Sequence, residues 1–190
     1  MKRGVSRRLS NVVGIDDGPF AKQRNVLVVG TLFARERLDG VLSTSVRRDG
    51  RNSTDKLIEM LENCRAYPQL SAIFLQGIAL GGFNVIDIER LSRELERKVL
   101  VVARRKPNLT RIRRALLENV PGGLRKWRLV ESAGPMEPCR GVWVQRAGLG
   151  LDEARALVSQ HQRHGALPEP LRIAHLVAGG IVRGESSGRA

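Results

Sequence analysis

The sequence predicts an α/β protein in which helices flank a mixed sheet. Two observations support this prediction. Three short apolar runs near the N-terminus lie close enough together to form antiparallel hairpins. Two later apolar runs lack polar alternation and are separated by an amphipathic helix. Strands that are apolar throughout and joined through a helix are typical of parallel strands covered on both faces.

The first half of the chain supplies the hairpins and one parallel unit. The three opening strands are predicted at 11–15, 25–33 and 40–46. A helix follows over 54–64, because apolar side chains recur there at helical spacing, namely Leu57, Ile58, Leu61 and Cys64. The next elements are a strand at 72–77, a helix with Val85, Ile88, Leu91 and Leu95 on one face, and a strand at 99–103.

The second half is predicted to complete the sheet and its cover. A basic helix is expected near 109–118, followed by short strands at 128–131 and 141–145. The predicted elements end with a helix over 151–162 and a last element that begins at Pro168. Three hairpin strands, a helix and then parallel strands is the order of a ribonuclease H-like sheet. In that architecture the first strand lies at the centre, and Asp16 and Asp17 come at its end.

Length and composition limit the class of protein. The 190 residues, 42% hydrophobic and 27% charged, fit one domain over 1–190, with flexible termini expected at 1–10 and 184–190. No apolar stretch approaches the roughly 18 residues of a membrane span, so we expect no membrane contact. The missing secretory signal and the two cysteines, Cys64 and Cys139, favour the reducing cytoplasm. No protein partner is evident.

Positive charge is concentrated in one segment. The formal net charge is +14, and residues 104–128 hold nine Lys or Arg against the single acid Glu118. This bias predicts a nucleic acid partner, DNA or possibly RNA, over a merely solvated face. Trp127 either stacks on a base or fills the core. The expected contact residues are Arg104, Arg105, Lys106, Arg111, Arg113, Arg114, Lys126, Trp127 and Arg128.

Several irregular phrases, in order, resemble the archaeal DUF99 group, also called UPF0215 or endonuclease dU, which is related to endonuclease V. They are VVGIDDGPF (12–20), RRDGRNST (47–54), LQGIALGGFNVIDIERL (75–91), KVLVVARRKPN (98–108) and LPEPLRIAHLVAGGIVRGESSGRA (167–190). The resemblance implies an endonuclease V-like fold. It also implies a metal-dependent endonuclease for DNA repair that acts on deaminated bases, uracil or hypoxanthine.

The resemblance also implies a set of site residues. Gly14-Ile15-Asp16 and Arg48-Asp49-Gly50-Arg51 match the phrases of the first two metal carboxylates, and LPEPLRIA is followed by His175. Catalysis would fall to Asp16, Asp49 and His175, and Mg²⁺ or Mn²⁺ would be held by Asp16, Asp49 and Gln76. Asp17 and Asp87 would support these ligands without being assigned as ligands themselves. The glycine-rich stretch suggests phosphate contacts at Gly77, Gly81 and Gly82, although glycines also serve plain turns.

Two departures from endonuclease V affect the expected activity. Gln76 stands where endonuclease V has its third acid, and a neutral amide holds a metal less strongly. The segment DGVLSTSV (39–46) lacks the Pro and Tyr of the endonuclease V wedge. The alternative is therefore a catalytically weak or inactive nucleic-acid-binding protein on the same scaffold. An enzyme for a small phosphorylated ligand is a further, less favoured class.

Overall fold

A computed structural model describes residues 11–186. Of the termini expected to be flexible, 1–10 and 184–190, residues 1–10 and 187–190 lie outside the described residues. The strands are β1 (Asn11–Asp17), β2 (Asn25–Ala34), β3 (Arg37–Arg47), β4 (Ala72–Gln76), β5 (Ala79–Leu80), β6 (Asn84–Val85), β7 (Lys98–Ala103), β8 (Glu137–Cys139) and β9 (Val142–Ala147). The helices are α1 (Ser53–Glu62), α2 (Ile88–Leu95), α3 (Leu109–Asn119), α4 (Gly123–Ser132), α5 (Leu151–His161) and α6 (Glu169–Arg183).

Seven of the strands form one mixed sheet in the order β3-β2-β1-β4-β7-β9-β8. The opening strands pair antiparallel, β1 with β2 and β2 with β3. The apolar strands β1, β4 and β7 pair in parallel, and β9 returns antiparallel to β7. The predicted fold class, three antiparallel strands followed by parallel strands with flanking helices, is confirmed.

Helices cover both faces of this sheet, and alternate residues of β1 point to opposite sides. Val13 and Ile15 belong to the core under α1 and α2. Val12 belongs to the core that includes α5 and Leu171 of α6. Because side chains alternate along a strand, Asp16 lies on the α6 side and Asp17 on the side of α1 and α2.

One predicted strand is wrong. Residues 128–131 lie within helix α4. Gly122, with φ 71°, turns the chain between α3 and α4, and Val130 packs with Leu116 of α3. A short apolar run does not distinguish a strand from one face of a helix. In the part of the chain that the structure describes, no helix is long and apolar enough to cross a membrane.

Candidate active site

The candidate site lies at the carboxyl ends of the parallel strands. Ile15 pairs with Leu75, so the next residues of the two strands, Asp16 and Gln76, stand at the same level. Ile15 and Leu75 point into the core under α1 and α2. Successive side chains of a strand alternate, so Asp16 and Gln76 both point to the α6 side. The central strands thus present a carboxylate and an amide side by side.

Helix α6 brings His175 to this carboxylate. Nδ1 of His175 lies 2.8 Å from Oδ2 of Asp16. The approach depends on Gly14, because a Cβ there would stand 2.3 Å from the carbonyl carbon of Pro170. The hydroxyl of Thr31 donates a 2.7 Å hydrogen bond to the Pro170 carbonyl, which fixes the start of the helix. Gly14 in the Gly-Ile-Asp phrase therefore permits the helix contact that Asp16 uses.

Burial sets the electrostatics of the pair. Asp16 is 4% exposed, and its burial raises the pKa of the carboxyl, although the hydrogen bond to His175 opposes this. The same hydrogen bond raises the pKa of His175, while burial and the positive charges of Arg104 and Arg183 lower it. The sequence prediction named Arg104 as a nucleic acid contact and did not include Arg183. Neither arginine carries a sequence signal that links it to His175.

Gln76 has an orphaned oxygen. Its Oε1 is buried and, within residues 11–186, has no hydrogen-bond partner. A buried acceptor without a donor is unfavourable unless another group occupies its lone pairs. A cation bound between Gln76 and Asp16 would satisfy this atom.

Asp17 and Asp49 both hold the turn between β5 and β6, here called the 79–85 turn. Oδ2 of Asp17 accepts a 2.7 Å hydrogen bond from the Gly81 amide, and Oδ1 of Asp49 accepts one of 2.8 Å from the Phe83 amide. Burial raises the pKa of Asp17 to about 6, the Gly81 hydrogen bond lowers it, and the charge of Asp16 raises it. The turn therefore links Asp17, at the end of β1, with Asp49, in the loop after β3.

Asp49 adopts a left-handed backbone conformation, with φ 50°. Its amide donates to the Gly81 carbonyl, and its own carbonyl accepts a 2.5 Å hydrogen bond from the Lys126 ammonium. Arg48 lies 3.8 Å from the Asp49 carboxylate. These contacts fix Asp49 in the loop after β3, against the 79–85 turn.

Several predicted roles need correction. Lys126 is 2% exposed and its ammonium donates to the Asp49 carbonyl, so it lies beneath the exposed basic surface rather than on it. The amides of Gly77 and Gly81 donate within the protein, to the Val102 carbonyl and to Asp17, and cannot also bind a phosphate. Gly82 is exposed, and a Cβ there would lie 2.4 Å from Oδ1 of Asp49. Gly81 and Gly82 thus shape the 79–85 turn.

Two further residues serve the fold. Oδ1 of Asp87 accepts a 2.9 Å hydrogen bond from the Arg90 amide and caps α2. Trp127 is half-buried and packs in the cluster of Leu116 and Val130. The remaining predicted basic residues are exposed, as expected of a surface that contacts a polyanion: Arg104, Arg105, Lys106, Arg111, Arg113, Arg114 and Arg128.

The donors match an oxygen-ligating metal only in part. Among the described residues, no group of three or more His, Cys, Asp or Glu is placed to hold a metal ion. Asp16 and the orphaned Gln76 oxygen nevertheless fit Mg²⁺ or Mn²⁺. Mg²⁺ is commonly bound by one or two carboxylates, with water and substrate phosphates as further ligands.

An apolar cavity of about 240 Å³ lies at the same edge of the sheet. It lies on the Asp17 side and includes Gly77, which follows Gln76, and Ala103 at the end of β7. Its one buried polar side chain, Gln145, is 2% exposed and donates to the Gly134 carbonyl. The other lining residues include Ile78, Ala79, Phe83 and Pro107.

Comparison with known sequences identifies the family. The sequence profile of the endonuclease dU family matches residues 8–182. The chain belongs to the endonuclease dU family. A UPF0215 protein from Deinococcus radiodurans is 55% identical over 184 residues, which cover 96% of this chain and 94% of that protein. The predicted family resemblance is thereby confirmed.

Solved structures confirm the fold of this endonuclease dU family member. A crystal structure from Archaeoglobus fulgidus superposes with a TM-score of 0.87 and 40% identity, covering 92% of this chain and 99% of that one. Ciona intestinalis endonuclease V, crystallised with a 24mer DNA containing an inosine followed by a ribo-adenosine, superposes with a TM-score of 0.56. The identity there is 13%, covering 88% of this chain and 83% of that one. At this identity the likeness shows the ribonuclease H-like fold.

Proposed function

We propose that this chain is a metal-dependent endonuclease that cleaves DNA at deaminated bases, uracil or hypoxanthine, in DNA repair. The observation that carries the proposal is the buried pair at the ends of β1 and β4. Asp16 supplies charge, and Gln76 supplies a buried oxygen with no partner in the described chain. A basic protein that buries a carboxylate there has a place for a cation facing a polyanion.

The chemistry follows from the positions of three side chains. A bound Mg²⁺ or Mn²⁺ would activate a water and stabilise the leaving oxygen of a phosphodiester. Asp16 and Gln76 would be its protein ligands, and Asp49 would approach from the loop after β3. The hydrogen bond to Asp16 occupies Nδ1 of His175 and leaves Nε2 as the ring nitrogen for proton transfer.

The surroundings fit a nucleic acid substrate. Arg104, close to His175, is exposed and follows β7. The exposed arginines of α3 would add phosphate contacts along the strand. The apolar cavity has room for a single extruded base and offers Phe83 for contact with it. A base from unpaired DNA would enter this cavity more readily than one from a duplex, because no base pair has to be broken first.

A second candidate function is nucleic acid binding without cleavage. Its supporting observation is the neutral side chain of Gln76 beside Asp16. An amide supplies no charge, so it holds a metal ion less strongly than a carboxylate would, and developing negative charge is then stabilised less. The same scaffold would then bind a strand through its basic residues.

Single-turnover cleavage of single-stranded DNA tests the proposal. The substrates carry one uracil, one hypoxanthine or no lesion, and Mg²⁺ and Mn²⁺ are compared with EDTA. We expect cutting by the wild type, loss of at least about 100-fold in rate for Asp16→Asn, and unchanged rate for Asp39→Asn. Asp39 is an exposed carboxylate paired with Arg37. Absent cutting, with DNA binding retained, would support the second candidate function. Cutting that persists in EDTA would contradict the proposed metal dependence.

A further inference from the structure

A small hollow lies behind Asp49, on the side of the sheet covered by α1 and α2. It has a volume of about 90 Å³. Its polar lining comes from the loop after β3, from the start of α2 and from α4: Gly50, Arg51, Asp87, Arg90, Arg125 and Lys126. We call it the cationic hollow. Val85 lines both the cationic hollow and the apolar cavity, so the two are neighbours.

Two positive charges converge in the cationic hollow. Lys126 is 2% exposed, and its ammonium donates to the Asp49 carbonyl at 2.5 Å. Burial lowers the pKa of Lys126, the charge of Asp49 raises it, and the charge of Arg51 lowers it by a smaller amount. Like charges brought together beside a cavity are unfavourable unless an anion lies between them.

Carboxylates offset this positive charge only in part, Asp49 acting on Lys126 from outside the lining. Arg90 is already paired with Asp55 at 2.7 Å and with Glu94 at 2.7 Å. Arg51 and Arg125 are exposed, and neither forms an ion pair with a carboxylate of residues 11–186. Asp87 is the one carboxylate in the lining, and its Oδ1 caps α2. Among the described residues, the hollow therefore has three cations without an ion pair, Arg51, Arg125 and Lys126, and one carboxylate in its lining, Asp87.

We propose that the cationic hollow is a phosphate-binding site, in which Arg51 and Arg125 contact the anion and Lys126 anchors it. Its volume of about 90 Å³ is sufficient for a phosphate group. Resting on the proposed function, we assign the phosphate to the backbone of the bound strand, next to the nucleotide whose base enters the apolar cavity. Arginine is suited to this task because its planar fork contacts two oxygens of a phosphate.

Amide-shift NMR with inorganic phosphate at constant ionic strength tests the site directly. We expect saturable shifts at Gly50, Arg51 and Arg125 in the wild type. In Arg51→Gln/Arg125→Gln, binding should weaken by at least about tenfold. The control Arg65→Gln/Arg93→Gln loses the same charge at exposed residues outside the hollow and should bind like the wild type. Absent or unsaturable shifts, or equal weakening by both double variants, would overturn the proposal.

Oligonucleotides distinguish the two sources of phosphate. For a backbone phosphate, 5′-phosphorylated and 5′-hydroxyl strands bind alike, and Arg51→Gln/Arg125→Gln weakens both more than the control does. For a terminal phosphate, the 5′-phosphorylated strand binds more tightly to the wild type and loses that advantage in the double variant. The titration uses neither metal nor cleavage. An inactive protein that binds phosphate in the cationic hollow would therefore contradict the proposed function and leave the phosphate site standing.

Discussion

The side chains of Asp16 and His175 are joined by a 2.8 Å contact across 159 positions of the chain. The contact links the central strand to the last helix of the fold. Because the Asp16 carboxylate favours the protonated imidazole, the pKa of His175 is raised. The stabilisation from this contact is full below the ordinary histidine value of 6.5 and is lost as pH rises through the folded-state value.

We expect Asp16→Asn to lower the pKa of His175, because the largest cause of its upward shift is removed. NMR titration of the imidazole protons in EDTA measures this change. His161, whose pKa burial lowers and the Leu157 carbonyl raises without a contribution from Asp16, should titrate identically in both proteins. An unchanged His175 titration would mean that the contact does not persist in solution.

Asp17→Asn should stabilise the metal-free protein at neutral pH. The folded-state pKa of Asp17 is raised to about 6 from 3.8, so the unfolded chain releases its proton first and stability falls as pH rises from about 4 to 6. Asparagine keeps an oxygen for the Gly81 amide. We expect a gain of about 1–2 kcal/mol at pH 7.5 and little change at pH 4. Thermal unfolding at the two pH values checks it, and equal effects at both would contradict a raised pKa of Asp17 as the cause.

Gly14→Ala should displace α6. The added Cβ would stand 2.3 Å from the Pro170 carbonyl carbon, so backbone must move. We expect a loss of about 1–3 kcal/mol, together with loss of the Asp16 contact to His175. The control is Gly179→Ala on the same helix, where a Cβ meets nothing within 4 Å. It should gain up to about 1 kcal/mol from helix propensity. Urea unfolding of the three proteins compares them, and similar effects at the two glycines would refute the close approach.

Gln76→Glu should tighten metal binding, since it replaces a neutral ligand by a charged one of the same shape beside Asp16. We expect Mn²⁺ affinity, measured by calorimetry, to rise by about tenfold or more. Gln145→Glu, a buried glutamine of the apolar cavity, is the control and should not bind Mn²⁺ more tightly. No gain in Gln76→Glu would place the metal away from β4.

The exposed arginines of α3 should carry part of the salt dependence of DNA binding. Changing Arg111, Arg113 and Arg114 to Ala removes up to three phosphate contacts. The slope of log K against log salt should then become shallower by about 2 for single-stranded DNA. A triple Ala variant at Arg37, Arg65 and Arg155, exposed elsewhere, is the charge-matched control. An unchanged slope in the α3 variant would exclude this helix from the DNA path.

Sequence could predict the parts of the site that follow from strand ends. Asp16 and Gln76 end neighbouring parallel strands, so their proximity follows from the apolar runs before them. His175 came from the family resemblance, because no periodicity links a helix residue to a strand 159 positions away. The hydrogen bonds by which Asp17 and Asp49 hold the 79–85 turn were not predictable from the sequence. They depend on the left-handed backbone conformations at Asp49, Gly81 and Gly82.

The basic segment shows the same limit. Nine cations in one stretch predicted a polyanion partner, but composition does not say which side chains point outward. Lys126 turns inward to the Asp49 carbonyl, and Trp127 packs beside Leu116, because α3 and α4 lie against each other there. The predicted strand at 128–131 was wrong for the same reason. A local apolar run predicts that the segment is buried, but it does not show whether that segment is a helix or a strand.

The left-handed backbone at Asp49 bears on how this family changes over evolutionary time. A side chain in that conformation costs on the order of 1 kcal/mol relative to glycine. Glycine at this position would remove that cost and, with it, the hydrogen bond that the carboxylate accepts from the Phe83 amide. The two effects oppose each other, so aspartate there in a descendant marks selection on the carboxylate, for the turn as well as for the site.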